Sequence, residues 1–418
     1  MRRASGFQII LIIIISALAG YYFGVNKISL DWKGYSPKLN VISKEPPAGV
    51  TNIDFTPFWT VWQKVSEDYY DKTKLDEGKM LTGAINGMIA TLEDPFTVYL
   101  PPTQNNNFKQ GLSGKFEGIG AELGTRDKSI IVIAPLDGSP AQKSGIRAGD
   151  EIQKVNDEET TGWTLAQAVE KIRGPKGTEV VLTIGRIDVK GTKDIKIIRD
   201  EITVKSVTAF VKKIKDIDSV NIPKNQEDTV AYIRLSQFGD NTNREWQTLA
   251  SDIAIKIRDE GALGLILDLR NNPGGYLSDA TYISSEFVSE GEALVIEEQA
   301  GGERVTRVAN RKGLLTSVPL IVLINKGSAS ASEIVAGALR DNNRADLFGE
   351  TSFGKGTVQA ATDLGDGAGL HVTIAKWLTP KGTWINGKGL TPDVEVSIDT
   401  KDSAHDNVLE KAILELLK

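Results

Sequence analysis

The chain has 418 residues, 40% of them hydrophobic, with a formal net charge of −6 and no cysteine. That length supports a large core with smaller modules, and the acidic balance gives no support for nucleic-acid binding. Without thiols there is no disulfide framework, thiol nucleophile or thiolate metal site. At the start, Arg2-Arg3 precedes an almost wholly apolar stretch at 7–25. Its length is near the minimum for crossing a bilayer, and the charges before it favour a cytoplasmic start. Residues 1–6 are therefore expected inside, 7–25 as a transmembrane signal anchor in the cytoplasmic membrane, and the remainder outside the cytoplasm, in the periplasm or at the cell exterior. The rival is a cleaved signal peptide, because Ala17-Leu18-Ala19 before Gly20 has the small-x-small form of a cleavage site. Residues 26–52 carry Gly34, Pro37, Pro46, Pro47 and Gly49 with little apolar periodicity, and read as a linker.

Helical spacing begins at Phe58, Trp59, Val61, Trp62 and Val65 and recurs over 79–92, which makes 53–113 an N-terminal helical region whose aromatics are assigned to core. From 114 to 199 the pattern changes to short β-rich stretches: Gly118-Ile119-Gly120-Ala121-Glu122-Leu123, then 130–133, 150–155 and 179–184, interrupted by one helical pattern at 165–172. This order, with Ser139-Pro140-Ala141 and Gly145-Ile146-Arg147-Ala148-Gly149-Asp150, resembles a PDZ domain. PDZ domains add an extended peptide as a strand to a sheet edge and capture its terminal carboxylate with backbone amides. The resemblance implies Gly118, Ile119 and Gly120 as the carboxylate-binding loop, since successive N–H groups in a glycine-rich turn form an anion-binding concavity. The plainer alternative is a β-turn closing a small barrel.

From about Val230 onward, strand patterns alternate with helical ones, which points to an α/β core over 200–418. The candidate strands are Tyr232-Ile233-Arg234-Leu235, the buried-strand runs at 263–269 and 318–324, and Ala345-Asp346-Leu347-Phe348. After the second of these, Pro273-Gly274-Gly275 marks a tight turn whose glycines let an N–H face a carbonyl unobstructed. After the third, Asn325-Lys326-Gly327-Ser328-Ala329-Ser330-Ala331-Ser332-Glu333 leads into a helical pattern, so a side chain at the junction sits beside unpaired N–H groups at the positive end of a helix dipole. With only His371 and His405 in the chain and no Gly-x-Ser-x-Gly elbow, a histidine triad lacks its usual support. Lysine is the substitute, and Lys355 lies between glycines in Phe353-Gly354-Lys355-Gly356-Thr357-Val358-Gln359. A free lysine leaves on the order of one molecule in two thousand neutral at pH 7. Lowering its pKa to about 8 needs roughly 3 kcal/mol, which burial between apolar walls can supply.

The segments around Ser330 and Lys355, at this separation, resemble the carboxyl-terminal processing peptidases, the Ser/Lys proteases also called tail-specific proteases. Gly83-Ala84-Ile85-Asn86-Gly87-Met88-Ile89, Asp94-Pro95-Phe96-Thr97-Val98-Tyr99-Leu100, Lys376-Trp377-Leu378-Thr379-Pro380 and Gly387-Lys388-Gly389-Leu390-Thr391-Pro392-Asp393 resemble further family segments. The resemblance implies a mixed α/β (α+β) fold: a crotonase/Clp-like core with an inserted PDZ domain and an N-terminal helical region that allows a homodimer. It places the nucleophile on Ser330, the lysine base on Lys355 and a supporting glutamine on Gln359. The oxyanion donors fall on Ala331 and on Gly274 or Gly275, between which spacing does not choose. The implied enzyme is a serine endopeptidase that recognises exported proteins by free, apolar C-termini and needs no metal or other cofactor. The alternative is a PDZ-bearing peptide-binding scaffold with an inactive core.

Overall fold

The computed structural model of the chain describes residues 14–16, 28–33, 36–41, 53–126, 129–136, 138–147, 149–186, 189–223, 226–397 and 405–418. The chain divides into two units, residues 1–80 and 81–418. In the first, β1 (Ile28–Lys33) and β2 (Ser36–Val41) pair antiparallel within the stretch read as a linker, and α1 (Thr56–Asp68) follows.

The expected membrane anchor is corrected. Among the described residues no helix is long and apolar enough to cross a membrane. Of 7–25 only residues 14–16 are described, as helix. The membrane attachment and the location inferred from it are withdrawn with the anchor, and Ala17-Leu18-Ala19 lies outside the described residues. The aromatic stripe of α1 also departs from expectation: no α1 residue is buried, and Trp59, Val61 and Val65 are exposed. Among the described residues of this unit, α1 and the β1–β2 hairpin offer too little surface to enclose an apolar face.

In chain order, α2 (Glu77–Ala90) leads to β3 (Val98–Leu100) and α3 (Pro102–Ser113), and β4 (Lys115–Gly118) opens an insertion. The insertion contains β5 (Ala121–Arg126), β6 (Ser129–Pro135), α4 (Pro140–Lys143), β7 (Glu151–Val155), β8 (Glu158–Glu159), α5 (Leu165–Ile172), β9 (Glu179–Arg186) and β10 (Val189–Ile198). Its antiparallel sheet runs β10-β9-β7-β6-β5, with β8 on β7. Val180, Leu182 and Ile184 alternate along β9 and meet Ile130, Val132, Ala168, Ile172, Ile195 and Ile197 in a core of their own, as strands with one buried face require. Helix α5 starts on a capping box in which Thr164 and Gln167 satisfy each other's N–H. β11 (Asp200–Thr203) pairs antiparallel with β4, so both chain crossings leave the insertion side by side.

The remaining elements are β12 (Val207–Lys213), β13 (Thr229–Leu235), α6 (Thr242–Glu260), β14 (Leu265–Asp268), α7 (Leu277–Ser284), β15 (Ala293–Gln299), β16 (Arg304–Val308), β17 (Leu320–Ile324), α8 (Ala331–Asp341), β18 (Asp346–Gly349), β19 (Thr357–Gly365), β20 (Ala368–Leu378), β21 (Val394–Glu395) and α9 (Asn407–Leu416). The central sheet runs β12-β13-β14-β17-β18-β21. β12 is antiparallel to β13, and the other pairings are parallel. Leu265, Leu267, Leu320, Val322 and Ile324 join one core with residues of α6, α7 and α8, whereas Ile266, Ile321 and Leu323 join a second with residues of α9. Burial on both faces is why β14 and β17 read as unbroken apolar runs. A further sheet runs β16-β15-β20-β19, with β3 on β20. Arg270, just past β14, donates to Asp268 (2.6 Å) and to Asp406 (2.7 Å) at the start of α9, which ties that helix to the loop leaving the central sheet. The whole is a mixed α/β fold with a separately cored insertion.

Candidate active site

Because β14, β17 and β18 are parallel neighbours, their carboxyl ends open together, where α/β sheets place ligands. The loops leaving β14 and β17 are stitched to each other. Asn271 N–H donates to Asn325 Oδ1 (2.8 Å), Asn325 Nδ2 to Asn271 Oδ1 (2.9 Å), Ser328 Oγ to the Leu269 carbonyl (2.9 Å) and Ala329 N–H to the Asn272 carbonyl (3.0 Å). Ser330 caps α8 at φ 54° and ψ −114°. A non-glycine residue held there costs about 1–3 kcal/mol and needs surroundings that enforce it.

Glu333 supplies much of that enforcement. Its buried carboxylate accepts Ser330 N–H (2.7 Å) and Lys355 N–H (3.0 Å) on Oε2, and Gly354 N–H and Ser352 Oγ (2.6 Å each) on Oε1. One side chain thus joins the backbone of the serine loop to that of the lysine loop. Sequence reasoning missed this residue, although Ser330-x-x-Glu333 has the capping-box spacing that could have revealed it.

Lys355 leaves a left-handed Gly354 (φ 90°), where a Cβ would lie 2.7 Å from Gly389 N. Trp377 Nε1 donates to the Lys355 carbonyl (2.9 Å). Ser330 and Lys355 line one cavity of about 630 Å³, together with Gly274, Gly275, Ala331 and Gln359. Burial lowers the lysine's pKa, while the charges of Asp94 and Glu333 oppose that shift. The amine sits 5.0 Å from the centroid of the Phe96 ring, and no hydrogen bond joins it to Ser330 among the described residues. Gln359 is not brought to the amine either: its amide donates to the hydroxyls of Thr357 (2.7 Å) and Thr373 (3.2 Å).

Gly274, at φ 97°, must be glycine, because a Cβ there would stand 2.8 Å from Ser330 Cβ and 2.7 Å from the Ala329 carbonyl. Its N–H is taken by Asn272 Oδ1 (2.9 Å), whereas the N–H groups of Gly275 and Ala331 have no acceptor among the described residues. The remaining walls are largely apolar, including Val98, Leu100, Leu112 and Ile334. His371 also lines the cavity, its ring edge-on to Phe108 at 4.4 Å. Burial first, and the Lys355 charge second, hold it below the ordinary imidazole range. His405 is instead bonded to Glu410 (2.9 Å). Gly118, Ile119 and Gly120 lie at the β4–β5 junction and not in this cavity; β5 is one of the sheet's two end strands, β10 being the other, and Gly120 (φ 72°) packs so closely on Ser139 that a Cβ would approach its Cβ to 2.5 Å.

Comparison with known proteins places the chain in a family. Residues 229–396 match the model of peptidase family S41, 106–185 that of the PDZ domain, and 13–103 that of the activating protease CtpB N-terminal domain. The chain is 38% identical over 337 residues to the carboxy-terminal processing protease CtpA of Bacillus subtilis (strain 168), covering 81% of this chain and 68% of that protein. It is 36% identical over 383 residues to CtpB of the same organism, covering 90% and 74%. Among solved structures, the photosystem II D1 C-terminal processing protease shares 31% identity at a TM-score of 0.50, covering 81% of this chain and 92% of that one. This chain belongs to the carboxyl-terminal processing serine peptidases of family S41, with a PDZ domain embedded in it.

Proposed function

We propose that this serine peptidase cleaves proteins engaged by their C-terminal tails with Ser330 as nucleophile and Lys355 as base. The observation that carries the reading is that Ser330, Lys355 and the free N–H groups of Gly275 and Ala331 meet on one apolar cavity, with Glu333 holding both reactive segments. The neutral lysine amine takes the Ser330 proton as Oγ bonds to the scissile carbonyl carbon. The tetrahedral oxyanion receives the N–H groups of Gly275 and Ala331, worth about 3 kcal/mol per donor in comparable sites. The resulting ammonium returns its proton to the leaving amine as the C–N bond breaks; the neutral amine so restored takes a proton from water as the water oxygen bonds to the acyl carbon, and passes it to Ser330 Oγ as the ester bond breaks. Gln359 enters as a support for the lysine through rotation away from its threonine partners. Gly118, Ile119 and Gly120 beside the β5 edge supply amides for the tail's carboxylate, and the helix-flanked parallel sheet supports a crotonase/Clp-like reading of the core.

Ser330→Ala and Lys355→Ala, assayed on a protein with an apolar C-terminal tail, test this. Each is expected to lose at least a thousandfold in kcat while the tail still binds. Full activity in either variant sinks the dyad, and His371→Ala run in parallel exposes any histidine-assisted alternative.

A further inference from the structure

The segment Asp94-Pro95-Phe96 resembles a family segment, yet the dyad leaves it without a task. Asp94 folds it into a turn by accepting Phe96 N–H (3.0 Å) and the Thr97 hydroxyl (2.6 Å). The Thr97 hydroxyl in turn accepts Thr373 N–H (3.1 Å), which fixes the turn on β20. Pro95 and Phe96 line the same cavity as Ser330, and the Phe96 ring lies 5.0 Å from the Lys355 amine. Two charged groups act on that amine from the packed elements, Asp94 from the turn and Glu333 from α8, and the amine's own charge acts on His371 of β20. Glu333 is committed to four donors. His371, whose pKa burial and the Lys355 charge lower, carries no negative charge in either protonation state and offers no counter-charge. The turn therefore supplies the cationic amine with both an aromatic face and a nearby carboxylate.

We infer that the Asp94–Phe96 turn is a holding site for the protonated Lys355 side chain: it keeps the ammonium on the Phe96 ring and off Ser330, and the amine turns to the serine only after losing its proton. The inference rests on the Ser/Lys reading and deepens it. Asp94 and Phe96 act through Lys355 and are positioning residues. The negative charge of Asp94 favours the ammonium, so removing it makes the neutral base available at lower pH. A weaker base also transfers protons less willingly, so the high-pH plateau falls as the acid limb moves.

The experiment uses the full chain. In a Ser330→Ala background, the rate at which trinitrobenzenesulfonate labels Lys355 is followed against pH by peptide mass, with and without Asp94→Asn or Phe96→Leu. Asparagine keeps an acceptor for the turn, and Phe96→Leu leaves Asp94 intact, so the two variants perturb the site independently. Labelling on the acid side is expected to rise about three- to tenfold in each. With Ser330 present, the acid limb of kcat is expected to move down by the same factor. Equal labelling in all three proteins overturns the holding site. Faster labelling with an unmoved kcat limb instead sinks the lysine-base reading, and with it the turn's part in catalysis.

Discussion

Four donors converge on the Glu333 carboxylate, and a substitution there reaches both the Ser330 and the Lys355 segment without touching either side chain. Glu333→Ala leaves three backbone N–H groups and a hydroxyl without their acceptor, and each such loss in a buried site costs about 1–3 kcal/mol. The expected outcome is destabilisation of at least about 3 kcal/mol in a denaturant titration, with kcat falling far more than KM rises. Glu333→Gln keeps one oxygen and loses less. An unchanged midpoint in Glu333→Ala would remove the bridging role. At this scale the two short motifs singled out Ser330 and Lys355, which line one cavity, while Glu333 was visible only as a spacing. That Asn272 Oδ1 occupies the Gly274 N–H was not legible at all, since it depends on how the loop folds back on itself.

Between helices α6 and α7 a single hydrogen bond, Asn243 Nδ2 to Asp279 Oδ1 (2.8 Å), leaves Asn243 Oδ1 and Asp279 Oδ2 buried with no partner among the described residues. Burial, aided by Asp240, raises the Asp279 pKa to about 6. The folded state thus binds this proton more tightly than the unfolded chain, whose aspartate titrates near about 3.9. The associated stability is fully present below that value and is lost as pH rises through about 6. Asp279→Asn places a permanent N–H where the proton would sit. It should stabilise the protein by about 1–2 kcal/mol at pH 7–8, after allowance for solvent screening, and flatten the stability profile between about pH 4 and 7. Identical melting temperatures across that range would count against the pairing. The doubly buried strands β14 and β17 were readable from their continuous apolar residues. The hairpin β19–β20 was not, because β19 mixes polar with apolar residues, is exposed beyond Ala360 and is held by pairing with β20.

At the scale of the whole molecule, the insertion leaves and returns on the paired strands β4 and β11, and Val204 N–H reaches the Gly114 carbonyl at 2.8 Å. Residues 115–203 can therefore be excised between ends already in contact. The shortened chain is expected to keep cleavage of short apolar peptides and to lose at least tenfold in kcat/KM on a tailed protein; undiminished cleavage of the tailed protein would show that the PDZ domain does not deliver it. The amino-acid sequence by itself determined the family, through the resemblance of its motifs, and the central strands, through their continuous apolar residues, because both are local properties of the chain. Only the tertiary structure decided which N–H groups remain free, that one carboxylate joins the serine and lysine loops, and that the lysine rests on Phe96. Those outcomes depend on distances between segments far apart along the chain, and they are set by how the sheet ends and loops pack together.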